Sequence, residues 1–396
     1  MPWRCFLQRF SGGETTDAVE QTMNTSAQAP EPRPAGIRII GDADAARRSF
    51  IAMLEQLDLH RYVATADDGG SAAFSLRDEF ARSWAPHSDT TQLSRDLDLD
   101  IAGNPDDLHR EILLAMLAGP RAFEYPSYEE FAAAVRLRRN IVDAARRTQL
   151  AFHTSEAERP NDCWTYTEDR GFTVLPGKPL IAALKKTTQP GASGKLYSFS
   201  CYRATEYVIL LGIAQELATV NPQLLERLQA QWETRAIMSG KFHDVFLYEY
   251  GAMNDPLPPG YYVPGDRLWF RNPDERSSDV SGYEGSWVFY LGGGLFSNFW
   301  KRDQPYTLTT KCIEIFHWRH GTYRDDEGAL RMNEAVVDAR VRDTLTNPEE
   351  TARILAQMAR LRDPQGVYAG GGCIDASREF PRRVCPGTTN IVLPAD

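Results

Sequence analysis

The chain holds 396 residues, 42% of them hydrophobic and 11% aromatic, enough to bury a large core and to build more than one structural unit. A net charge of −10 argues against a nucleic-acid-binding surface, and no stretch has the length and apolarity of a membrane span. Six scattered cysteines without a CxxC exclude a cysteine zinc site and a disulfide framework, leaving Cys373 with Cys385 as the one pair placed where a bridge could form.

The first ten residues lack the apolar run of a secretory signal, so cytoplasmic residence, or export without a cleaved signal, is expected. Residues 11–35 are poor in large apolar side chains, which predicts a disordered leader over 1–35, because little burial would offset the entropy of ordering. From 36 to 120 the pattern predicts a mainly helical accessory region. Its apolar stripes are Phe50, Met53, Leu54 and Leu57, then Leu108, Ile112, Leu113, Met116 and Leu117. Between them Asp67-Asp68-Gly69-Gly70-Ser71 and Asp96-Leu97-Asp98-Leu99-Asp100 read as loops. The second alternates acids but lacks the glycine and closing glutamate of a calcium-binding loop, so it reads as a solvated acidic face.

A helix opens after Ser127, an N-cap with Glu130 three residues on in a capping box, and runs through Phe131, Val135, Leu137, Ile141 and Ala145. Its arginines, Arg136, Arg138, Arg139, Arg146 and Arg147, are expected to pair with the acidic surplus. Strands follow at 162–166 and 171–175. After the pliant run from Pro190 to Gly194 comes Cys201, and behind it Val208, Ile209, Leu211, Ile213, Ala214 and Leu217 recur as in a buried helix. Cys201 therefore falls in or just before a first helical turn, where unpaired N–H groups and the positive dipole end favour a thiolate. A further helix covers 224–232. Strands are then expected at 245–250, 266–270, 286–291 and 294–296, with Gly292-Gly293-Gly294 as a hairpin turn and Asp266 holding a turn after Gly265. Residues 311–319 form another core element, 348–361 an amphipathic helix, and the Gly/Cys/Pro-rich end reads as an irregular accessory tail.

A cysteine at a helix start followed by antiparallel strands predicts an α+β fold with a papain-like, peptidoglycan-peptidase-like core. Four stretches occur in a telling order. They are Phe123-Glu124-Tyr125 with the Leu137-to-Ala145 helix, Tyr197-Ser198-Phe199-Ser200-Cys201, Leu247-Tyr248-Glu249-Tyr250, and the segment from Pro264 through Gly265-Asp266 to Asn272-Pro273-Asp274. Together they resemble the bacterial spore-coat-type protein-glutamine γ-glutamyltransferases, or transglutaminases, over about residues 121–325, leaving 326–396 as a C-terminal helix and tail. The resemblance implies a catalytic core there, with Cys201 as nucleophile, a thioester intermediate, and release of ammonia. It further implies isopeptide cross-links between a glutamine carboxamide and a lysine amine, protein substrates, and no metal or organic cofactor.

The resemblance also locates partners for the cysteine. The family's glutamate before the nucleophile is Ser200 here, its second acid aligns with Ser286 without a gap, and a family histidine falls on Phe299. A two-residue insertion keeps strand parity and lets Glu284 supply the carboxylate instead. Glu284 is thus the expected base, with His243, His317 and His320 as imidazole candidates and Ser286 and Glu206 as orienting groups. A glutamine deamidase or amidase on the same fold, acting as a delivered effector, is one alternative; a non-catalytic binding or scaffold protein is another. The oligomeric state stays open.

Overall fold

A computed structural model describes residues 35–151, 157–237, 240–367 and 370–394. Apart from Ala35, the leader expected over 1–35 lies outside the described residues. Strands β1 (Ile37–Ile39), β2 (Val63–Asp68), β3 (Ser71–Leu76) and β4 (Phe123–Tyr125) make a sheet in the order β2-β3-β1-β4. The segment 36–120 therefore contributes three strands beside its helices Ala43–Gln56 and Pro105–Leu117, where a helical region was expected. The acidic Gly69-Gly70 loop is the turn of the β2–β3 hairpin, and both glycines take positive φ, 58° and 93°, as a tight hairpin requires. Short strands built from Ala, Ser and Thr give too weak an alternation to show against the stronger helical stripes.

The long helix Tyr128–Arg147 starts at the expected N-cap, with Ser127 accepting from the Glu130 N–H at 3.2 Å. The return half of the capping box is not made. The Glu130 carboxylate is buried and accepts from the N–H groups of Val384 and Cys385 and from Thr388. Among the helix's arginines, Arg136 meets Glu216 and Arg138 meets Asp266, while Arg146 donates to the carbonyls of Ile101 and Leu291. Beyond it come the hairpin β5 (Trp164–Thr167) and β6 (Gly171–Val174), and the cysteine helix Cys201–Val220, which packs against Tyr128–Arg147.

A second sheet, of six strands, carries β7 (Leu247–Tyr250), β8 (Arg267–Arg271), β9 (Gly285–Gly292), β10 (Leu295–Phe296) and β11 (Tyr306–Thr307). Residues 245 and 246, expected in a strand, instead end the helix Lys241–Phe246. The helix Leu308–Gly321 follows, then the ribbon β12 (Thr322–Arg324) and β13 (Leu330–Met332), and the helices Glu334–Leu345 and Pro348–Met358. The last strand, β14 (Arg378–Pro381), lies inside the second sheet, whose order is β11-β10-β9-β8-β14-β7. It pairs with β7 from Arg378↔Tyr250 to Pro381↔Leu247 and touches β8 at Glu379↔Arg267. The tail is therefore structural rather than accessory. Its strand was hidden because β14 takes its partners from chain more than a hundred residues away.

One cluster of buried side chains runs from Ile37 to Ile391, and a second lies around the Leu308–Gly321 helix. Cys373 does not approach Cys385 as a bridging pair. Its sulfur lies 3.6 Å from that of Cys312, and Cys385 faces the Glu129 carbonyl. No helix among the described residues is long and apolar enough to cross a membrane.

Candidate functional site

Cys201 is the first residue of its helix. Ser200 stands at the N-cap and accepts from the Arg203 N–H at 3.2 Å, so this serine has a structural task. From Ala204 onward almost every face of the helix is covered, which fixes the cysteine against β9. Its thiol is half-buried and opens into a cavity of about 90 Å³. Ser286 of β9 lines this cavity, together with Asn298, Trp300, Tyr306, Lys311 and Trp318.

Two opposing effects act on the sulfur. Burial pushes the thiol up, while backbone N–H groups of Trp287 and Tyr202 and the Lys311 ammonium favour the thiolate. The balance lies on the raised side, so the helix N-terminus alone does not deliver the low-pKa thiolate that its position suggests. Glu284 also acts on the sulfur electrostatically and pushes it further up. It sits one residue before β9 and two before Ser286, exposed, with its carboxylate accepting from the Gly282 N–H at 3.3 Å. Glu284 is thus near Cys201 but outside the cavity wall, whereas Ser286 is on it.

The remaining candidates are held elsewhere. Glu206 lies one turn along the cysteine helix, fully buried and ion-paired with Arg203. His317 and His320 project from another face of the Leu308–Gly321 helix into a separate cavity of about 310 Å³ that does not contain Cys201. There their Nδ1 atoms face each other at 3.0 Å and His317 Nε2 meets Thr344 Oγ1 at 2.8 Å. Burial, then His320, lowers His317 to about 4, which makes it a neutral packing group at neutral pH. Phe299 is buried in the core and carries no polar group toward the thiol. Among the described residues no group of three or more His, Cys, Asp or Glu side chains is placed to hold a metal ion.

His243 is bound to Glu379 at 2.7 Å, and Glu379 also meets Arg267, whose guanidinium lies over the rings of Tyr202 and Trp287. The imidazole thus reaches the neighbourhood of the thiol only through two ion pairs. Its hydrogen bond to Glu379 raises its pKa. A folded-state pKa above the unfolded one adds stability at pH below the unfolded value, and that contribution is lost as pH rises through the folded value. The difference in Tm between native protein and His243→Asn is therefore expected to be largest below the unfolded imidazole value of about 6.5 and to shrink as pH rises above it. A difference that does not change with pH on either side of that value would show that the pair adds nothing.

Sequence reasoning missed the wall opposite Cys201. Lys311 and Glu314 face the cavity from the Leu308–Gly321 helix, and Glu334 and Asp338 from the helix Glu334–Leu345. One signal was available: Lys311, Glu314 and Trp318 stand at i, i+3 and i+7, so the lysine shares a helical face with a tryptophan of the core.

The family model described as protein-glutamine gamma-glutamyltransferase matches residues 89–389. A protein-glutamine gamma-glutamyltransferase of Bacillus licheniformis is 26% identical over 178 residues, 43% of this chain and 65% of that protein. One from Bacillus pumilus is 26% identical over 186 residues, 46% of this chain and 69% of that protein. The chain thus spans about two thirds of the length of these relatives. With a match that takes in both the cysteine helix and the last strand of the sheet, the chain belongs to the protein-glutamine gamma-glutamyltransferase family, the bacterial transglutaminases.

Proposed function

We propose that the chain transfers the acyl group of a protein glutamine to a primary amine, with Cys201 as nucleophile, on a papain-like arrangement of cysteine helix and antiparallel sheet. The observation that carries this reading is the placement of Cys201 at a helix N-terminus, in a cavity, with two backbone N–H groups directed at its sulfur. In the first step the sulfur attacks the carboxamide carbon, a C–S bond forms, the C–N bond breaks, and nitrogen leaves as ammonia with a proton. The N–H groups of Trp287 and Tyr202 stabilise negative charge at this point. In the second step a neutral lysine ε-amine attacks the thioester carbon, the C–S bond breaks, the amine proton passes by way of Glu284 to the departing sulfur, and the isopeptide bond is formed.

Glu284 is the base in this scheme. It is the carboxylate of the β9 end whose charge reaches the sulfur, and its exposed side chain is free of the packing that would hold it away from the thiol when substrate fills the site. Aromatic side chains of Trp300, Tyr306 and Trp318 on the cavity wall limit water, which favours an amine over hydrolysis of the thioester. The test is ammonia release from a blocked glutaminyl-glycine, with and without a primary amine. Release that rises with amine, with the amine incorporated, supports transamidation; release indifferent to amine makes the chain a deamidase. Glu284→Gln is expected to lower kcat about a hundredfold. A change under twofold would remove Glu284 from the mechanism and turn attention to Ser286.

A further inference from the structure

Lys311 is the one lysine among the described buried residues, 3% exposed. Its place is electrostatically awkward twice over. It lies in the opening turn of the Leu308–Gly321 helix, whose positive dipole end disfavours a cation, and burial strips the ammonium of water. Glu314 Oε2 at 2.7 Å and the Tyr306 ring, centred 3.9 Å away, hold it in place. Tyr306 in turn donates to the other Glu314 oxygen at 3.0 Å. This triad fixes Lys311 on the wall of the cavity that contains Cys201.

The other charges facing the cavity are otherwise engaged. Lys301 pairs with Asp338 at 3.1 Å, and Glu334 accepts from the Tyr283 hydroxyl at 2.7 Å. Glu284, just outside the wall, opposes thiolate formation. Serines stand at 200 and 286, where the resemblance expects carboxylates.

We propose that Lys311, held by Glu314 and Tyr306, is the cationic partner of Cys201: it stabilises the thiolate across the shared cavity, in place of an acid-base partner adjacent in sequence. The proposal rests on the reading of Cys201 as the nucleophile. Glu314 sets the strength of the effect, since its carboxylate offsets part of the lysine's field. Lys311 is thus a positioning residue for charge.

The test is the pH profile of iodoacetamide alkylation on the full chain, read by mass spectrometry on the peptide containing Cys201. For Lys311→Met the apparent pKa should move up about one unit, so alkylation near pH 7 slows about tenfold. Lys311→Arg, which keeps the charge, should restore most of the rate, and Glu314→Gln should accelerate alkylation severalfold. A Lys311→Met profile that superimposes on the native one overturns the proposal. Should that variant fail to fold, by near-UV circular dichroism, an unchanged or slower Glu314→Gln overturns it equally. Ammonia release measured in parallel separates the two readings. A lysine-dependent profile without ammonia release removes the acyl-transfer reading and keeps the ion pair; release with a lysine-independent profile removes the ion pair alone.

Discussion

Cys201→Ala is expected to reduce amine-stimulated ammonia release to the uncatalysed level while leaving the protein folded. The sulfur is the only atom in the cavity that the proposed mechanism uses to form a covalent intermediate, so no partial activity should survive its loss. The structural cost is small. Alanine keeps the helix start, Ser200 remains the cap, and a lost sulfur at a half-buried position removes little packing, about 1 kcal/mol. Cys201→Ser should be nearly as inactive, since a hydroxyl ionises far less readily than a thiol. Because burial holds the Cys201 thiol on the raised side, the native rate should climb with pH through the neutral range as the thiolate fraction grows. Retention of more than about a tenth of the native rate in a folded Cys201→Ala protein would place the chemistry on another residue.

The second large effect concerns stability. Arg138 and Asp266 are both almost wholly buried and meet at 2.6 Å. The arginine also donates to the Pro264 carbonyl, and its guanidinium lies over Phe380 of β14, 4.9 Å from the ring centre. Asp266 does hold the expected turn, accepting from the Val263 N–H at 2.8 Å, and Gly265, with φ of 91°, lets that turn lie against the Arg138 backbone. The pair therefore joins the long helix, the approach to β8 and the terminal strand. Arg138→Met leaves an uncompensated buried carboxylate and is expected to cost about 3–5 kcal/mol, read as a drop in the urea midpoint. Adding Asp266→Leu should recover part of the loss, because it removes the stranded charge, though the Val263 N–H then lacks its acceptor. A loss under about 1 kcal/mol in the single variant would show that the pair is not buried in solution.

Much of the site's local architecture was legible before any tertiary contact was known. The apolar run from Val208 to Leu217 defines a buried helix and puts Cys201 in or just before its first turn; the structure makes it the first residue, behind a Ser200 cap. The triple glycine marks the β9–β10 hairpin because glycine takes three successive positive φ angles without steric cost, and Glu111 then fixes it by accepting from the Gly293 N–H. The partners of the thiol were less legible. His317 and His320 looked suitable by residue type, but the face of their helix that meets Cys201 carries Lys311 and Trp318 instead.

The amino-acid sequence by itself determined the features that local backbone preference controls: where the cysteine helix starts, where the Gly292–Gly294 and Pro264–Asp266 turns fall, and which strands carry an apolar face. Tertiary structure alone decided which elements meet. Glu130, a capping residue by pattern, is drawn to the Val384 and Cys385 amides because these buried N–H groups need an acceptor more than a half-exposed cap does. The tail becomes a strand between β7 and β8 because the sheet leaves a gap that only distant chain can fill. Lys311 comes to face Cys201 because the 308–321 helix buries its Trp318 side toward the cysteine; the local spacing puts Lys311 and Trp318 on one face, but what that face meets is set by packing across chain segments about a hundred residues apart.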